Sequence, residues 1–405
     1  MSPNADYRAN VSTVTDVIVI GGGIAGASVA YELAASRSVV LLESERELAR
    51  HSTARSAATY IPGHGPHPVR ALIAASGPRF ARLATELDLP PLLAPRPVLW
   101  VAVDPDGEQV LSRDLAERRG EPDAPVPISP AEAIRRCPAL DPAAVRAAAV
   151  VETAADIDVM ALHSGYVRGL RARGGTVNAG SPVQSIARDG SGWRVTAGDT
   201  EWTAADVVLA AGAWTDDLAQ RAGVPPLGLV PLRRTIAIAR VPDPARLRPP
   251  GGGRSPMVIE AAERFYFKEE AGNLLVSPGD ETPDEPRDAR PDPLDVATAL
   301  ERVETVTRLG LRSVVTSWAG LRTFAPDRIP VVGAWPEHPG LWFVAGQGGS
   351  GLETAPALAA FAAAIITGQT PPADVPVDPA ALTPTRLERA VDTLPGRNAA
   401  SRHDR

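Results

Sequence analysis

Two segments near opposite ends of the chain share one pattern of apolar and polar positions. The first, DVIVIGGGIAGASVAYELA (16–34), passes from an apolar run through glycines into small apolar residues, and a second apolar run, SVVLLE (38–43), follows. The other joins GLWFVAG (340–346), through QGGSGLETAP, to ALAAFAAAIITG (357–368). Short apolar runs bounded by glycine indicate buried strands. Each segment therefore predicts strand, glycine turn and helix, and the first continues into a βαβ unit.

The text between these segments is predicted to alternate between two units. Proline-rich residues 89–97 mark a boundary, after which PVLWVAVD (97–104) predicts a strand of a second unit. Short strands then lead to a buried strand at 206–211, which we expect to rejoin the first sheet. Residues 227–324 are again rich in strand patterns and complete the second unit.

Two stretches are predicted to be mobile surface loops. They are PDPARLRPPGGGRSP (242–256) and SPGDETPDEPRDARPDPLD (277–295). Both are so rich in proline, glycine or charge that little apolar surface is available for packing.

Composition narrows the class of protein. The chain has 405 residues, 44% hydrophobic and 22% charged, with a net charge of −7, so two domains are expected and nucleic acid is not an expected partner. A single cysteine, Cys137, excludes an intramolecular disulfide and a cysteine-based zinc or iron–sulfur site, and it is expected to pack at a helix end. We expect no metal site.

The expected location is the cytoplasm. Residues 1–15 lack a positively charged start followed by an apolar stretch, so no secretory signal is expected. No apolar run approaches the roughly 20 residues of a membrane helix.

The first glycine turn fits a dinucleotide fingerprint. Gly21, Gly23 and Gly26 occupy the pattern G-x-G-x-x-G between a predicted strand and a predicted helix. Gly21 permits the tight turn, Gly23 lets the backbone approach a pyrophosphate, and Gly26 allows close packing of helix and strand. Glu43 ends the second strand at the spacing of a ribose-binding carboxylate and argues against NADP.

The fingerprint does not distinguish an NAD site from an FAD site, so the identity of the dinucleotide has to come from other segments. HSTARSAATY (51–60) offers hydroxyls and Arg55 after the second strand, while VVLAAGAW (207–214) and AGQGGSGLETAP (345–356) place glycines at predicted strand ends. Carboxyl ends of strands line the ligand crevice of a doubly wound sheet. Three such ends predict one long ligand lying across the sheet.

Together these segments resemble the FAD-dependent D-amino-acid oxidoreductases of the glycine-oxidase and sarcosine-oxidase group, and most closely the bacterial D-arginine dehydrogenases. The likeness covers roughly residues 15–370 and is carried by VIGGGIAGASVAYEL, HSTARSAATY, LGLVPLRRTIAI, FYFK, SWAGLRTF and VAGQGGSGLETAPAL, among others. It implies an α/β fold, with a Rossmann-like FAD-binding domain of the glutathione-reductase type interleaved with a β-rich α+β substrate domain.

The implied domain boundaries follow from the resemblance. The FAD-binding domain is expected to comprise residues 15–95, 155–225 and 325–370, and the substrate domain residues 96–154 and 226–324. Residues 371–405 are expected to form a partly disordered C-terminal tail. The expected cofactor contacts are Gly21, Gly23, Gly26, Glu43, Ser44, Thr53, Arg55, Ser56, Ala57, Val183, Gly212, Trp214, Gln347, Gly348, Gly349, Gly351 and Leu352.

The resemblance assigns Arg322 and Arg234 to the carboxylate of an amino-acid substrate. Arg322 lies in an apolar run, where an unpaired charge is costly, and a guanidinium holds a carboxylate through two parallel hydrogen bonds. Tyr266 matches an active-site tyrosine of the group. Strand alternation leaves open whether Arg233 or Arg234 faces the substrate. The implied reaction is hydride transfer from the α-carbon of a neutral amine to FAD, giving an imino acid that hydrolyses to a 2-oxo acid and ammonia.

This sequence departs from the arginine-oxidising relatives in the side-chain pocket. Val98 stands where they have a glutamate for the guanidinium group, Ile61 and His64 stand where they have a threonine and a lid tyrosine, and Ser350 replaces another tyrosine. A D-amino acid with a neutral, mainly apolar side chain is therefore the expected substrate, because a cationic side chain would lack a partner.

Several alternatives remain open at this stage. FAD is expected to be bound non-covalently, because no cysteine occurs late in the chain, although His51 is a candidate for covalent attachment. The electron acceptor is either dioxygen or a quinone. An oxidase of N-methyl or other secondary amino acids fits the same residues. A flavin-binding protein without turnover and a nicotinamide dehydrogenase are further alternatives.

Overall fold

The computed structural model describes residues 12–387. The helices are α1 (Ile24–Leu33), α2 (His67–Glu86), α3 (Pro105–Glu117), α4 (Pro130–Arg136), α5 (Val159–Ala172), α6 (Thr215–Arg221), α7 (Pro293–Thr307) and α8 (Gly351–Ile366). The strands are β1 (Ser12–Ile20), β2 (Val39–Leu42), β3 (Thr59–Tyr60), β4 (Leu93–Pro95), β5 (Val98–Ala102), β6 (Val126–Ile128), β7 (Ala147–Val151), β8 (Ala155–Ile157), β9 (Thr176–Asn178), β10 (Val183–Asp189), β11 (Gly192–Ala197), β12 (Thr200–Leu209), β13 (Val230–Ala239), β14 (Met257–Glu260), β15 (Tyr266–Glu270), β16 (Asn273–Ser277), β17 (Thr282–Pro283), β18 (Val314–Phe324), β19 (Val331–Ala334) and β20 (Leu341–Ala345).

The first sheet is mainly parallel at its centre. Its order is β10-β11-β12-β1-β2-β9, and β20 pairs with the end of β12 and with β19. Val17 and Val19 of β1 pack on one face of the sheet, while Ile18 and Ile20 pack on the other. Burial on both faces explains the continuous apolar run, as is typical of parallel strands covered by helices. The expected strand, turn and helix at residues 16–34 are confirmed by β1 and α1.

Four strands of this sheet end side by side. Ile20 of β1 lies opposite Leu42 of β2 and Leu209 of β12, and Leu209 in turn lies opposite Phe343 of β20. All four strands run parallel to one another, so the glycine turns that follow them meet at one edge. The sheet therefore presents the ligand crevice that the strand ends predicted.

The second helical segment begins earlier than expected. The sequence pattern predicted a helix from residue 357, after the proline, but α8 starts at Gly351 and includes Pro356. A proline inside a helix has no N–H and so loses the hydrogen bond to the carbonyl four residues earlier. Here Pro356 is the sixth residue of α8, so only the bond to the carbonyl of Leu352 is lost.

The second sheet is mostly antiparallel and lies on the other side of the crevice. Its order is β17-β13-β16-β15-β14-β5-β7-β6, with β18 paired to β13, and α7 packs beside it. A small third sheet, β3-β8-β4, lies in the connections between the two units. The strands of the two large sheets come from alternating parts of the chain. We propose the same two interleaved domains from this distribution.

Most of residues 277–295 lie at the surface, as expected, but the expectation that the segment does not pack is wrong. Thr282 and Pro283 pair with β13, and Ala289 is buried. Asp280 accepts hydrogen bonds from the backbone N–H of Thr235, at 2.8 Å, and from its hydroxyl, at 2.9 Å. The charges of this segment therefore hold it against the sheet, because they have partners there.

Residues after α8 also pack. Val375, Val377 and Leu382 are buried in the same core as β1, and the carbonyl of Leu382 accepts a hydrogen bond from the N–H of Val332. The remainder of the expected C-terminal tail, from residue 388, lies outside the described residues. Cys137 is the C-cap of α4 and is buried, which confirms its expected place at a helix end.

We predict that Asp280→Ala destabilises the protein by about 1–3 kcal/mol, because it leaves two buried donors of Thr235 without an acceptor. Thr235 has no exposed surface. Urea unfolding followed by tryptophan fluorescence measures this free energy. Asp199→Ala, in an exposed turn, serves as the control. Equal unfolding midpoints for the two variants would contradict the structural role of Asp280.

Candidate active site

A cavity of about 400 Å³ runs from the glycine turn after β1 to the strands β13 and β18. Its first end lies at the carboxyl edge of the first sheet, and its second end lies against the second sheet. One continuous cavity therefore connects the predicted nucleotide site with the predicted carboxylate site.

The turn at Gly21–Gly26 leaves no room for a side chain at Gly21 or at Gly26. Gly21 has a φ of +117°, and a Cβ there would lie 2.4 Å from the carbonyl oxygen of Ala210. A Cβ on Gly26 would lie 1.8 Å from the carbonyl oxygen of Gly21. Gly26 does not line the cavity, so its assignment as a cofactor contact is not supported. Its role is the close packing of helix against strand.

The beginning of α1 is arranged for an anion. Its first turn contains no acidic residue, and its N-cap, Gly23, makes no side-chain cap. Instead, the Thr53 hydroxyl accepts a hydrogen bond from the N–H of Ile24 at 3.0 Å. Helix N-termini favour negative charge, and Gly23 and Thr53 both line the cavity. These features fit a pyrophosphate.

Glu43 is fixed at the end of β2. One carboxylate oxygen accepts the N–H of Gly22 at 2.6 Å, and the other accepts the Ser44 hydroxyl at 3.0 Å and the N–H of Glu45 at 2.8 Å. Glu43 also lines the cavity, where a ribose of a bound dinucleotide would lie.

The structure brings the other predicted cofactor contacts to the same cavity. Those that line it are Gly21, Gly23, Glu43, Ser44, Thr53, Arg55, Ser56, Ala57, Val183, Gly212, Trp214, Gln347, Gly348, Gly349, Gly351 and Leu352. They come from sequence positions more than 300 residues apart, as the strand-end argument required.

The guanidinium of Arg55 is bound by other protein groups and is not free for the cofactor. Its guanidinium donates to the carbonyls of Ala289 and Ala319, both at 3.0 Å, and forms an ion pair with Asp288. Arg55 therefore lines the cavity while its guanidinium binds the segment 277–295. The hydroxyls of the same loop remain the better candidates for cofactor contacts.

Arg322 forms no ion pair with a carboxylate of the described residues. It lines the cavity, and among residues 12–387 it makes no ion pair or side-chain hydrogen bond. Burial, and next the neighbouring charge of Arg234, lower the pKa of Arg322. A partly buried guanidinium without an ion-pair partner is disfavoured, so this position suits an anionic ligand.

The register of β13 and β18 distinguishes Arg234 from Arg233. Leu232 lies opposite Arg322, and Arg234 lies opposite Gly320, so Arg234 and Arg322 are on the same face. Arg234 lines the cavity, although its guanidinium also donates to Asp280 and Glu281. Arg233 points to the other face of the strand.

On that other face Arg233 is already paired. Its guanidinium donates to Asp295 of α7 at 3.0 Å and lies 3.9 Å from both Asp284 and Asp292. It does not line the cavity. Of the two arginines, Arg234 is therefore the one that faces the cavity.

Tyr266 adjoins the two cavity arginines. It lines the cavity, and its ring centre lies 6.0 Å from the guanidinium carbon of Arg234. Its hydroxyl is buried and has no hydrogen-bond partner among the described residues. A ligand carboxylate would provide an acceptor for this hydroxyl.

His64 forms a charged cluster with two glutamates in the same cavity. Its Nε2 lies 3.2 Å from Glu263, its Nδ1 lies 3.8 Å from Glu353, and its ring stacks on Trp100. Burial would lower the pKa of His64, but the two glutamates outweigh it and raise this pKa to about 10. The pKa of Glu263 falls to about 2. Burial would raise this pKa, but the charge of His64 and its hydrogen bond lower it by more. The cluster is therefore an imidazolium held between carboxylates.

Two of the predicted pocket residues do not reach the cavity. Val98 has no exposed surface, because Met257 and Val151 flank it on the neighbouring strands of the sheet. Trp100, two residues along on the same side of β5, does line the cavity, because its side chain is longer. Ser350 is buried at the start of α8, behind the turn that ends with Gly349.

Sequence reasoning missed other residues of this cavity. Ile61 and His64 line it as predicted, but Trp100, Met257, Ile259, Glu263 and Glu353 line it as well. Glu353 lies within GQGGSGLETAP, where an acid beside a glycine turn was a usable signal. Glu263 lies in the turn between β14 and β15, where the sequence carries no sign that the turn reaches the site.

The fold and the cavity define a dinucleotide-dependent oxidoreductase. The chain belongs to the FAD dependent oxidoreductase family DAO, whose model matches residues 16–365. FAD is therefore its cofactor, and NAD is excluded as the resident dinucleotide.

Relatives agree with this assignment. The chain is 30% identical to glycine oxidase of Pseudomonas putida over 190 residues, which are 47% of this chain and only about half, 48%, of that protein. It is 25% identical to glycine oxidase of Geobacillus kaustophilus over 351 residues, 84% of this chain and 90% of that one.

Solved structures share the fold. Glycine oxidase from Geobacillus kaustophilus superposes with a TM-score of 0.81 at 23% identity, covering 92% of this chain and 99% of that chain. L-proline dehydrogenase from P. horikoshii superposes with a TM-score of 0.79 at 21% identity, covering 94% and 99%. Within residues 12–387 no helix combines the length and apolar character needed to cross a membrane.

The residues present fit FAD. The anion-ready start of α1 and the fixed carboxylate of Glu43 suit its pyrophosphate and ribose. Buried polar atoms in the cavity wall, Thr323 Oγ1 and Gln347 Nε2, lack partners among the described residues. A bound flavin ring would supply hydrogen-bonding groups at this end of the cavity.

We predict that FAD is bound non-covalently. His51 lines the cavity, but its Nε2 is already 3.0 Å from Glu45, and the only cysteine, Cys137, is buried elsewhere. Acid precipitation of the purified protein should give a colourless pellet and a yellow supernatant that contains FAD. A pellet that stays yellow after washing would show a covalent bond, and mass spectrometry of its peptides would identify the attachment site.

Proposed function

We propose that the protein oxidises an α-amino acid to an imino acid, which hydrolyses in water to a 2-oxo acid and ammonia. The observation that carries this proposal is the cavity position of Arg322 without a protein counter-ion. An α-carboxylate is the group that this site lacks. The glycine oxidases among the relatives support an amino-acid substrate.

In this mechanism the protein binds and orients the substrate. Arg322 would hold the carboxylate, Arg234 would add a second cation, and the Tyr266 hydroxyl would donate a further hydrogen bond. The two guanidinium groups also favour the neutral amine of the substrate over its ammonium form. FAD, when bound, accepts the hydride that leaves the α-carbon. No side chain is needed as a dedicated base.

We predict that Arg322→Ala lowers kcat/KM for amino acids by roughly 30-fold or more, corresponding to a lost charge pair of at least about 2 kcal/mol. FAD should remain bound, because the start of α1 and Glu43, which suit its pyrophosphate and ribose, are unchanged. Arg233→Ala removes a neighbouring charge that faces away from the cavity and is the matched control. Parent-like kinetics of Arg322→Ala would refute the carboxylate anchor.

For the side chain of the substrate we propose a neutral, mainly apolar group on a D-amino acid. The D-configuration rests on the resemblance to D-amino-acid oxidoreductases. Ile61, Trp100, Met257 and Ile259 supply apolar surface in the cavity. Glu263 and Glu353 would attract a cationic side chain, but both are already paired with His64. The closer likeness to D-arginine dehydrogenases stays a prediction, without their preference for cations.

We predict that kcat/KM for D-leucine or D-phenylalanine exceeds that for D-arginine. Replacing His64 by leucine should raise the relative rate with D-arginine, because Glu263 and Glu353 lose their cation. The rate at which each amine bleaches the flavin under anaerobic conditions measures the activity of the parent and of His64→Leu. A parent that prefers D-arginine would contradict the neutral pocket.

The same screen decides between the remaining alternatives. Faster bleaching by sarcosine or other N-methyl amino acids would replace this proposal with an oxidase of secondary amines. No bleaching by any amine would indicate a flavin-binding protein without turnover. Hydrogen peroxide formed in air would identify dioxygen as the acceptor, and turnover that requires an added quinone would identify a dehydrogenase.

A further inference from the structure

A buried histidine outside the cavity touches the glycine turn. His163 lies on α5, is 3% exposed, and its Nε2 is 2.9 Å from the carbonyl oxygen of Gly22. It is not a cavity-lining residue. The steps proposed above give it no part, and a buried imidazole without a function would be replaced at little cost by an apolar residue.

The helix that carries His163 is held firmly against α1. Tyr166, one turn further along α5, packs its ring 5.5 Å from that of Tyr31 on α1, and Arg173 donates to the carbonyl oxygen of Tyr31 at 2.7 Å. The Asp158 side chain caps the start of α5 by accepting the N–H of Ala161. His163 therefore approaches the turn from a rigid support.

The chemistry of the contact fixes its direction. A carbonyl oxygen can only accept, so Nε2 carries the proton and donates it. Burial lowers the pKa of His163, and it does so more strongly than the bond to Gly22 and the charge of Glu43 raise it. The imidazole is thus neutral, with its proton on Nε2.

This bond controls a peptide group that faces the nucleotide end of the cavity. The carbonyl of Gly22 and the N–H of Gly23 belong to one peptide unit, and in a trans peptide they point in opposite directions. His163 and the N–H of Ala49, at 3.2 Å, hold the carbonyl on one side. The N–H of Gly23 then points to the other side, where it has no acceptor among residues 12–387.

The neighbouring peptide is held from its other end. The N–H of Gly22 donates to Glu43 at 2.6 Å, so both polar groups of Gly22 are engaged by side chains from different elements. Glycine has wide backbone freedom, and without such restraints the Gly22–Gly23 peptide could rotate. A carbonyl that accepts a hydrogen bond also polarises its peptide and makes the attached N–H a better donor.

We propose that His163 is a positioning residue of the FAD site: its Nε2–H fixes the Gly22–Gly23 peptide so that the Gly23 N–H is presented to the pyrophosphate. It acts through the backbone and touches no cofactor atom.

The test compares three variants at this position and measures the FAD affinity of the apoprotein. His163→Phe keeps the ring without a donor, and His163→Gln places an amide N–H close to the position of Nε2. His163→Asn keeps an amide that ends short of the Gly22 carbonyl. His67→Phe, at an exposed histidine, is the control. Quenching of FAD fluorescence gives the dissociation constant, and thermal unfolding of each apoprotein gives its stability.

We expect His163→Phe and His163→Asn to raise the Kd for FAD by roughly tenfold, as for one lost hydrogen bond, and His163→Gln to restore most of the affinity. At saturating FAD, kcat and KM should match those of the parent. A parent-like Kd for His163→Phe would overturn the proposal. So would a Gln variant as weak as the Asn variant, which would show that His163 only fills space. Should the Phe variant not fold, the Gln and Asn variants alone decide.

Discussion

The unpaired charge of Arg322 is the constraint around which the second half of the cavity is arranged. A guanidinium that lines a ligand cavity must be held without being neutralised, because a protein carboxylate in contact with it would compete with the ligand. The β13–β18 register places Arg234 diagonally beside it, on the same face. Repulsion between the two is tolerable because Glu281 and the Asp280 carbonyl engage Arg234. Arg322 thus stays available to a ligand, while Arg234 is paired with protein groups.

This arrangement gives the segment 277–295 its importance. It supplies the groups that engage Arg234, it caps the backbone of Thr235, and through Asp288 and Ala289 it binds Arg55 of the nucleotide loop. One charged stretch of chain therefore joins the carboxylate end of the cavity to the cofactor end. A displacement of this segment would therefore alter contacts at both ends of the cavity at once.

The parts that could be predicted from the sequence are those in which local pattern and chemistry coincide. The glycine turn, its flanking strand and helix, and Glu43 form one contiguous signal, since the fingerprint demands glycine at fixed spacing. The packing of residues 277–295 against the sheet could not be predicted. Proline and charge indicate a loop, but they do not show whether its charges have partners. Val98 was assigned by likeness to relatives, and a one-dimensional comparison does not tell which side chain of a strand is long enough to reach a cavity. Glu263 enters the site through the pairing of β14 with β5, a contact between positions some 160 residues apart.

The pairing of charges in the cavity bears on the substrate more directly than any single residue. Arg234 is engaged by Glu281, and His64 is engaged by Glu263 and Glu353, so at the β13–β18 end of the cavity Arg322 is left without an ion pair among the described residues. A substrate that brings one carboxylate and a neutral amine completes the set. A cationic side chain would have to displace His64 from its glutamates, and an anionic one would have to approach them against repulsion. The first change leaves the His64 imidazolium without its partners, and the second brings like charges together. The charges that are already paired therefore support the proposed neutral side chain, for which Trp100 and Met257 offer apolar surface.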